Sequence, residues 1–201
     1  MTRLALSLGL LTLLATDAFD AAKAKATEVE SLQKLLDAYT APCHATDPLE
    51  QQDCDKRAKT AQAAFKGKTL YLNLGNVGLE RLLEPLDASP GKGAVLITPI
   101  FDGGSGVALT FAKPQKLDKD GNVVVSRVPV EGTLSDDTLM ASDVKRLVRT
   151  GQLGLEIIFT VKGPWEIKRK GGEPVRGLEI SPSAFRFSNR RTGKPLFSHV
   201  K

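Results

Sequence analysis

Histidine, cysteine and aromatic residues are scarce in this 201-residue chain: two His, two Cys, one Trp, two Tyr and eight Phe. His44 and His199 lie far apart in sequence, and neither has a Ser or Cys beside it, so no Ser–His or Cys–His pair can be read from spacing. Cys43 and Cys54 have ten residues between them, which excludes a Cys-x-x-Cys redox motif and the close pairing of zinc sites. Cys43, His44, Asp47 and Cys54 offer ligand atoms without that spacing. Few aromatics are available for stacking on bases or sugars, which argues against nucleic acid as a partner. No apolar run reaches the roughly 20 residues of a spanning helix.

The first apolar run, Leu4–Ala15, follows Arg3 and gives way to small residues. That order is the pattern of a secretory signal, residues 1–26, with cleavage after Ala18 or after Ala26. Export places the mature chain in the periplasm or outside the cell, with no transmembrane segment. In that compartment Cys43 and Cys54 are expected to form a disulfide. A loop of about 12 residues closed in this way contributes about 3 kcal/mol on the chain-entropy estimate.

After the leader the periodicity is helical. Thr27-Glu28-Val29-Glu30 has capping-box spacing, and Val29, Leu32, Leu35, Leu36 and Tyr39 recur on one face, predicting a helix over 27–41. Asp47-Pro48 starts a second helix, with Asp as N-cap and Pro at the first position, and Gly67 stops it. Residues 27–66 thus read as a helical hairpin pinned by Cys43–Cys54.

From Lys68 the period changes to two. Leu70, Leu72 and Leu74 alternate with polar neighbours, and Leu153, Leu155, Ile157, Phe159 and Val161 point to one face of a central strand. Gly78–Leu86 has the spacing of a helical turn. Ala94–Phe101 reads as a buried strand in which Pro99 needs an edge or a bulge. Gly103–Gly106 and Lys119–Asn122 are turns, the second leading into a strand over 123–130. Ser142 caps an inserted helix that Gly151 ends. Residues 162–174 read as a basic connection, followed by strands near 175–180, 184–188 and 195–200. The fold class expected is α+β: the helical hairpin, then a mainly antiparallel β domain over 67–201, as a partly closed barrel or a sandwich with one inserted helix.

Motif by motif, catalysis finds little support, and no catalytic residue, metal or cofactor is assigned. Ser142-x-x-Lys145 has a nucleophile spacing, but the chain after it is too short for the helical domain that such enzymes insert between motifs. Gly103-Gly104-Ser105-Gly106 lacks the endings of a phosphate loop or a nucleophile elbow. Asp136-Asp137 has no calcium-loop spacing.

Charge distribution is uneven. Residues 27–144 carry 12 basic and 17 acidic side chains, and residues 145–201 carry 13 and 4. The net values, −5 and +9, concentrate positive charge in Lys145/Arg146/Arg149, Lys168-Arg169-Lys170 and Arg190-Arg191 with Lys194. Trp165 is either an exposed anchor beside these residues or a core side chain. The expected function is an exported, non-enzymatic binding or accessory protein of the bacterial cell envelope. Its basic C-terminal half would recognise an anionic envelope component or an envelope protein. The alternative is an envelope-acting hydrolase whose site is assembled from residues distant in sequence.

Overall fold

The computed structural model describes residues 17–40, 47–75, 83–89, 92–97, 100–102, 107–126, 128–134, 146–147, 149–169 and 172–201; over 83–102 and at 107 the backbone alone is described. Among these residues lie the helices α1 (Ala18–Lys23), α2 (Leu32–Thr40) and α3 (Pro48–Ala63). The strands are β1 (Thr27–Glu28), β2 (Leu70–Gly75), β3 (Leu83–Ser89), β4 (Lys92–Ile97), β5 (Ile100–Asp102), β6 (Val107–Thr110), β7 (Val128–Leu134), β8 (Leu153–Arg169), β9 (Gly172–Asn189) and β10 (Pro195–Val200). No helix among the described residues is long and apolar enough to cross a membrane.

The strands form one ten-stranded sheet in the order β1-β2-β8-β9-β10-β7-β4-β3, with the β5–β6 hairpin added beside β9. The order ends at β1 on one side and β3 on the other. Among the described residues the sheet is therefore unclosed, where the sequence suggests a partly closed barrel or a sandwich. β8 is interior, as the alternation at Leu153–Val161 implies, and pairs antiparallel with both β2 and β9.

One face of this sheet carries the main core. Leu70, Leu72 and Leu74 of β2 meet Leu153, Leu155, Ile157 and Phe159 of β8 and Phe185 and Phe187 of β9. Val29 and the α2 residues Leu35 and Leu36 cover them, with Leu32 and Tyr39 at the margin. The opposite face buries a smaller cluster in which Phe19 of α1 packs on Tyr71, Ile158 and Ala184. Farther along the hairpin, Trp165 packs with Ala108 and Val175.

Several local expectations hold. Asp47 Oδ1 accepts from the amides of Leu49 (2.7 Å) and Glu50 (3.3 Å), with Pro48 in the first turn of α3. Gly121, at φ +81°, completes a turn whose Asp118 side chain accepts from the Asp120 and Asn122 amides. β5 and β6 pair as a hairpin around 103–106. Gly151, at φ +67°, ends the helical residues Arg146, Leu147 and Arg149, and the Gln152 amide reaches back to the Leu147 carbonyl at 2.8 Å.

Others are corrected. Thr27 caps no helix: Thr27–Glu28 joins the sheet edge parallel to β2, and Ser31 Oγ accepts from the Lys34 amide at the start of α2. α2 and α3 are the two helices expected, but the hairpin is not seen as disulfide-pinned. Cys54 sits on α3, while Cys43 lies outside the described residues. Leu83–Leu86 is strand rather than helical turn, residues 78–82 lying outside the described residues; among the described strands β3 pairs only with β4, and such an edge accepts Pro85. Ala94–Phe101 divides into β4 and β5. The strand expected over 123–130 begins only at Val128.

The largest correction is the stretch 162–174. It forms the outer half of one long hairpin, β8 with 17 residues and β9 with 18. β2 pairs with β8 only over Leu155–Phe159, so no described strand pairs with the outer edge of β8 at Pro164.

Gly177 is required where Trp165 crosses β9. A Cβ there would collide with the Trp165 ring and the Ala108 carbonyl. Gly177→Ala is expected to lower stability by about 2–3 kcal/mol, in the overpacking range, read by chemical denaturation. Because Trp165 is the single tryptophan, its emission should also shift to the red. Unchanged stability and emission would show that this crossing tolerates a side chain.

Candidate functional site

The hairpin sorts the charges of the C-terminal region. All four acidic residues after Asp143 lie on β8 or β9, and three of them pair with basic residues in the interior of these strands. Glu156 Oε2 accepts from Arg186 Nε at 2.7 Å, Glu166 pairs with Arg176 at 2.9 Å, and Glu179 pairs with Lys162 at 3.2 Å. Most of the other basic residues of this region lie at or beyond the ends of the hairpin.

Two of the three basic groups come together. Leu153 at the start of β8 pairs with Asn189 at the end of β9, so the 146–152 segment adjoins the 190–194 turn. The Arg190 amide donates to the Gln152 carbonyl at 2.7 Å and joins the two. Asn189 Oδ1 accepts from the Arg191 (2.9 Å) and Thr192 (3.3 Å) amides, and Gly193 takes φ +69° to close the turn. Arg146, Arg149, Arg190, Arg191 and Lys194 are all exposed on this frame. The stem of Arg190 lies over Gly154, where no side chain competes for the space. No Asp or Glu occurs in 146–155 or 187–201.

The third group does not join them. Lys168 and Arg169 end β8, roughly 50 Å along an extended strand from Leu153. Arg169 donates to the Gly121 carbonyl at 2.8 Å and so ties the hairpin tip to the 118–122 turn. Lys145 and Lys170 lie outside the described residues, as do His44, Asp136, Asp137, Ser142 and Gly103–Gly106. Of the two places open to Trp165, the structure takes the core. It is 3% exposed, and its indole N–H donates to Thr110 Oγ1 at 3.0 Å. It is not available as a surface anchor. His199 contacts the Glu131 carbonyl through Nδ1 at 2.6 Å and packs near Phe185. No cluster of three metal-ligating side chains occurs among the described residues.

Behind the basic end, on the face covered by α1, lies a polar network that spacing alone does not reveal. Glu156 Oε1 accepts from the Tyr71 hydroxyl (2.6 Å) and Lys23 Nζ (3.1 Å), and Arg186 donates to both Glu156 and Asp20. The Arg186 guanidinium also lies over the Phe19 ring at 4.4 Å. The one hint in sequence is a single charge at the same phase in two apolar strands, Glu156 among Leu155 and Ile157 and Arg186 between two phenylalanines. Burial alone would raise the Glu156 carboxyl, but donors from Arg186, Tyr71 and Lys23 outweigh it and hold the pKa below its ordinary value. Burial, with the bond to Glu156, pushes the Tyr71 hydroxyl up. Charges satisfied in this way hold α1 to the sheet and are not free to meet a partner.

A carboxyl with a lowered folded-state pKa stabilises fully above its unfolded value, near 4.3. That contribution is lost as pH falls through the folded value. Glu156→Gln is expected to lower stability at pH 7 by about 2–3 kcal/mol, toward the lower end for a broken, mostly buried ion pair. Its stability should then fall less steeply than wild type between about pH 5 and pH 3. Parallel pH profiles in denaturant titrations would contradict this.

No curated protein and no solved structure matches this chain. A family model does match, over residues 1–200, and on that evidence the chain belongs to the family described as "Family of unknown function (DUF6066)".

Proposed function

We propose that this is an exported, non-enzymatic binding or accessory protein of the bacterial cell envelope. It recognises an anionic envelope component, or an acidic face of an envelope protein, through the basic end of the β8–β9 hairpin. The observation that carries this reading is the convergence of Arg146, Arg149, Arg190, Arg191 and Lys194 on one end of the hairpin, where residues 146–155 and 187–201 contain no Asp or Glu. Basic groups gathered there attract a polyanion by summed field, and planar guanidinium groups suit carboxylate and phosphate oxygens.

Export rests on the leader pattern of residues 1–26, and α1 bears on where processing falls. Phe19 has no exposed surface, and Asp20 and Lys23 both bond to the sheet's charged network. Cleavage after Ala18 keeps all three. Cleavage after Ala26 removes them, uncovering Tyr71, Ile158 and Ala184 and leaving Arg186 with Glu156 alone. We therefore favour a mature chain that begins at Phe19. The proposed Cys43–Cys54 disulfide has as support that the chain's other cysteine, Cys54, is not a free thiol.

One intact-mass measurement on protein from the exported fraction reads both proposals. The expected mass is that of Phe19–Lys201 less two protons. A chain beginning at Thr27 would contradict the choice of site, one beginning at Met1 would contradict export, and free thiols would contradict the disulfide.

For recognition, Arg190→Ser with Arg191→Ser is the informative variant, since exposed turn substitutions cost about 0.5 kcal/mol or less. Capture of a partner from envelope extract should fall for this variant at unchanged thermal stability. Wild-type capture should weaken as salt shortens the screening length below about 8 Å. Equal capture of the same partner by both proteins, at low and high salt, would refute the basic-end reading.

A further inference from the structure

A second basic feature is separate from the turn. A cleft of about 680 Å³ opens between the 111–128 segment and the middle of the β8–β9 hairpin. Its size falls within the roughly 300–1,000 Å³ of small-molecule sites. Three chain segments bring lysines to it: Lys113 and Lys116 from the loop after β6, Lys162 from β8, and Lys201. Among the described residues no Asp or Glu lines it. Lys162 is held by Glu179 at 3.2 Å, whereas Lys113 and Lys116 form no ion pair among the described residues.

The walls are of the other kind. Phe111, Val125, Val128 and Pro182 present apolar surface over the buried Ile180, and the Phe111 ring is seated on Phe185 at 5.5 Å between centroids. Val124, on the same wall, is 39% exposed. The Ser126 and Ser181 side chains add hydroxyl groups among the lysines. The loop that forms this wall is not loose. Its Leu117–Val123 bridge, the Val124 amide to the Lys116 carbonyl (3.2 Å) and the capped 118–122 turn hold it in place.

Each half of this lining excludes a class of ligand. A small inorganic anion satisfies the lysines and leaves the apolar wall wet. A neutral hydrocarbon covers the wall and leaves Lys113 and Lys116 without a counter-charge among the described residues. An anion with an apolar tail meets both demands. We propose that this cleft binds a small anionic amphiphile, an acyl chain ending in a carboxylate or phosphate, with the head at Lys113 and Lys116 and the chain along Phe111, Val128 and Pro182. The site lies on the middle of the hairpin and does not use the 190–194 turn, so it stands or falls separately from the function proposed above.

Calorimetric titration of the full protein with dodecanoate, dodecanol and inorganic phosphate tests this directly. Dodecanoate should bind, more weakly as salt rises, and both comparison ligands should bind at least roughly tenfold less tightly, a difference of about 1.4 kcal/mol. Lys113→Gln with Lys116→Gln should weaken dodecanoate by a similar factor. Ser126→Trp, which fills the cleft without changing charge, should abolish binding; all three side chains are exposed, and circular dichroism checks that the variants fold. Arg190→Ser with Arg191→Ser should leave dodecanoate binding unchanged. Sedimentation with phosphatidylglycerol vesicles then separates the sources. Loss of vesicle binding in Ser126→Trp assigns the cleft to a lipid, and dodecanoate binding without vesicle binding assigns it to a free fatty acid. Absence of dodecanoate binding, equal affinity for dodecanol or phosphate, or affinity untouched by the lysine and Ser126 variants would overturn the proposal.

Discussion

The antiparallel pairing of β8 with β9 is the constraint on which the rest depends. It runs with few irregularities from Leu153–Asn189 at one end to Arg169–Gly172 at the other. Because successive side chains alternate, one hairpin supplies both faces of the sheet: Leu155, Ile157, Phe185 and Phe187 to the α2 side, Ile158 and Ala184 to the α1 side. The same alternation sets Glu156 directly opposite Arg186, and Glu166 opposite Arg176. Charge neutralisation inside the hairpin and charge surplus at its ends are two results of one register. A slip of a single residue would send the apolar set to the wrong face and separate these pairs.

The opposite face is a study in how a short helix is held. Six residues are too few for α1 to be stable alone. It persists because Phe19 is buried and because Asp20 and Lys23 close a network already anchored by Glu156 and Arg186. β1 then carries the chain along the sheet edge to α2, with the Val29 amide bonded to the Tyr71 carbonyl at 2.8 Å. Residues 18–29 are thus integral to the fold of the sheet.

Much of this was legible in sequence wherever a local rule acts alone. Asp47-Pro48, the Gly121 turn and Gly151 are set by backbone requirements that a few residues satisfy. The interior position of β8 follows from its alternation. The outer half of the hairpin was hidden because Lys162, Glu166, Lys168 and Arg169 give 162–174 the look of a loop, although Val161, Gly163, Trp165 and Ile167 continue the period of two. Gly78–Leu86 has leucines at helical spacing, yet Leu83–Leu86 pairs with β4, since tertiary pairing overrides a short local pattern. The Glu156 network and the lysine cleft were beyond sequence reading. Their members are up to 166 residues apart in the first case and come from separate segments in the second. For the basic groups, composition showed the surplus but not that the 146–149 and 190–194 sets meet while 168–169 stands apart.

The central claim is that the meeting of those two sets forms the recognition surface. Amide chemical shifts followed by NMR during titration with a soluble polyanion, such as polyglutamate, test it residue by residue. The account expects the largest changes at 146–152 and 189–194, fading as salt is raised, with Lys168, Arg169 and the 118–122 turn little affected. Changes centred on Lys168 and Arg169, or spread evenly over all exposed lysines and arginines, would contradict it.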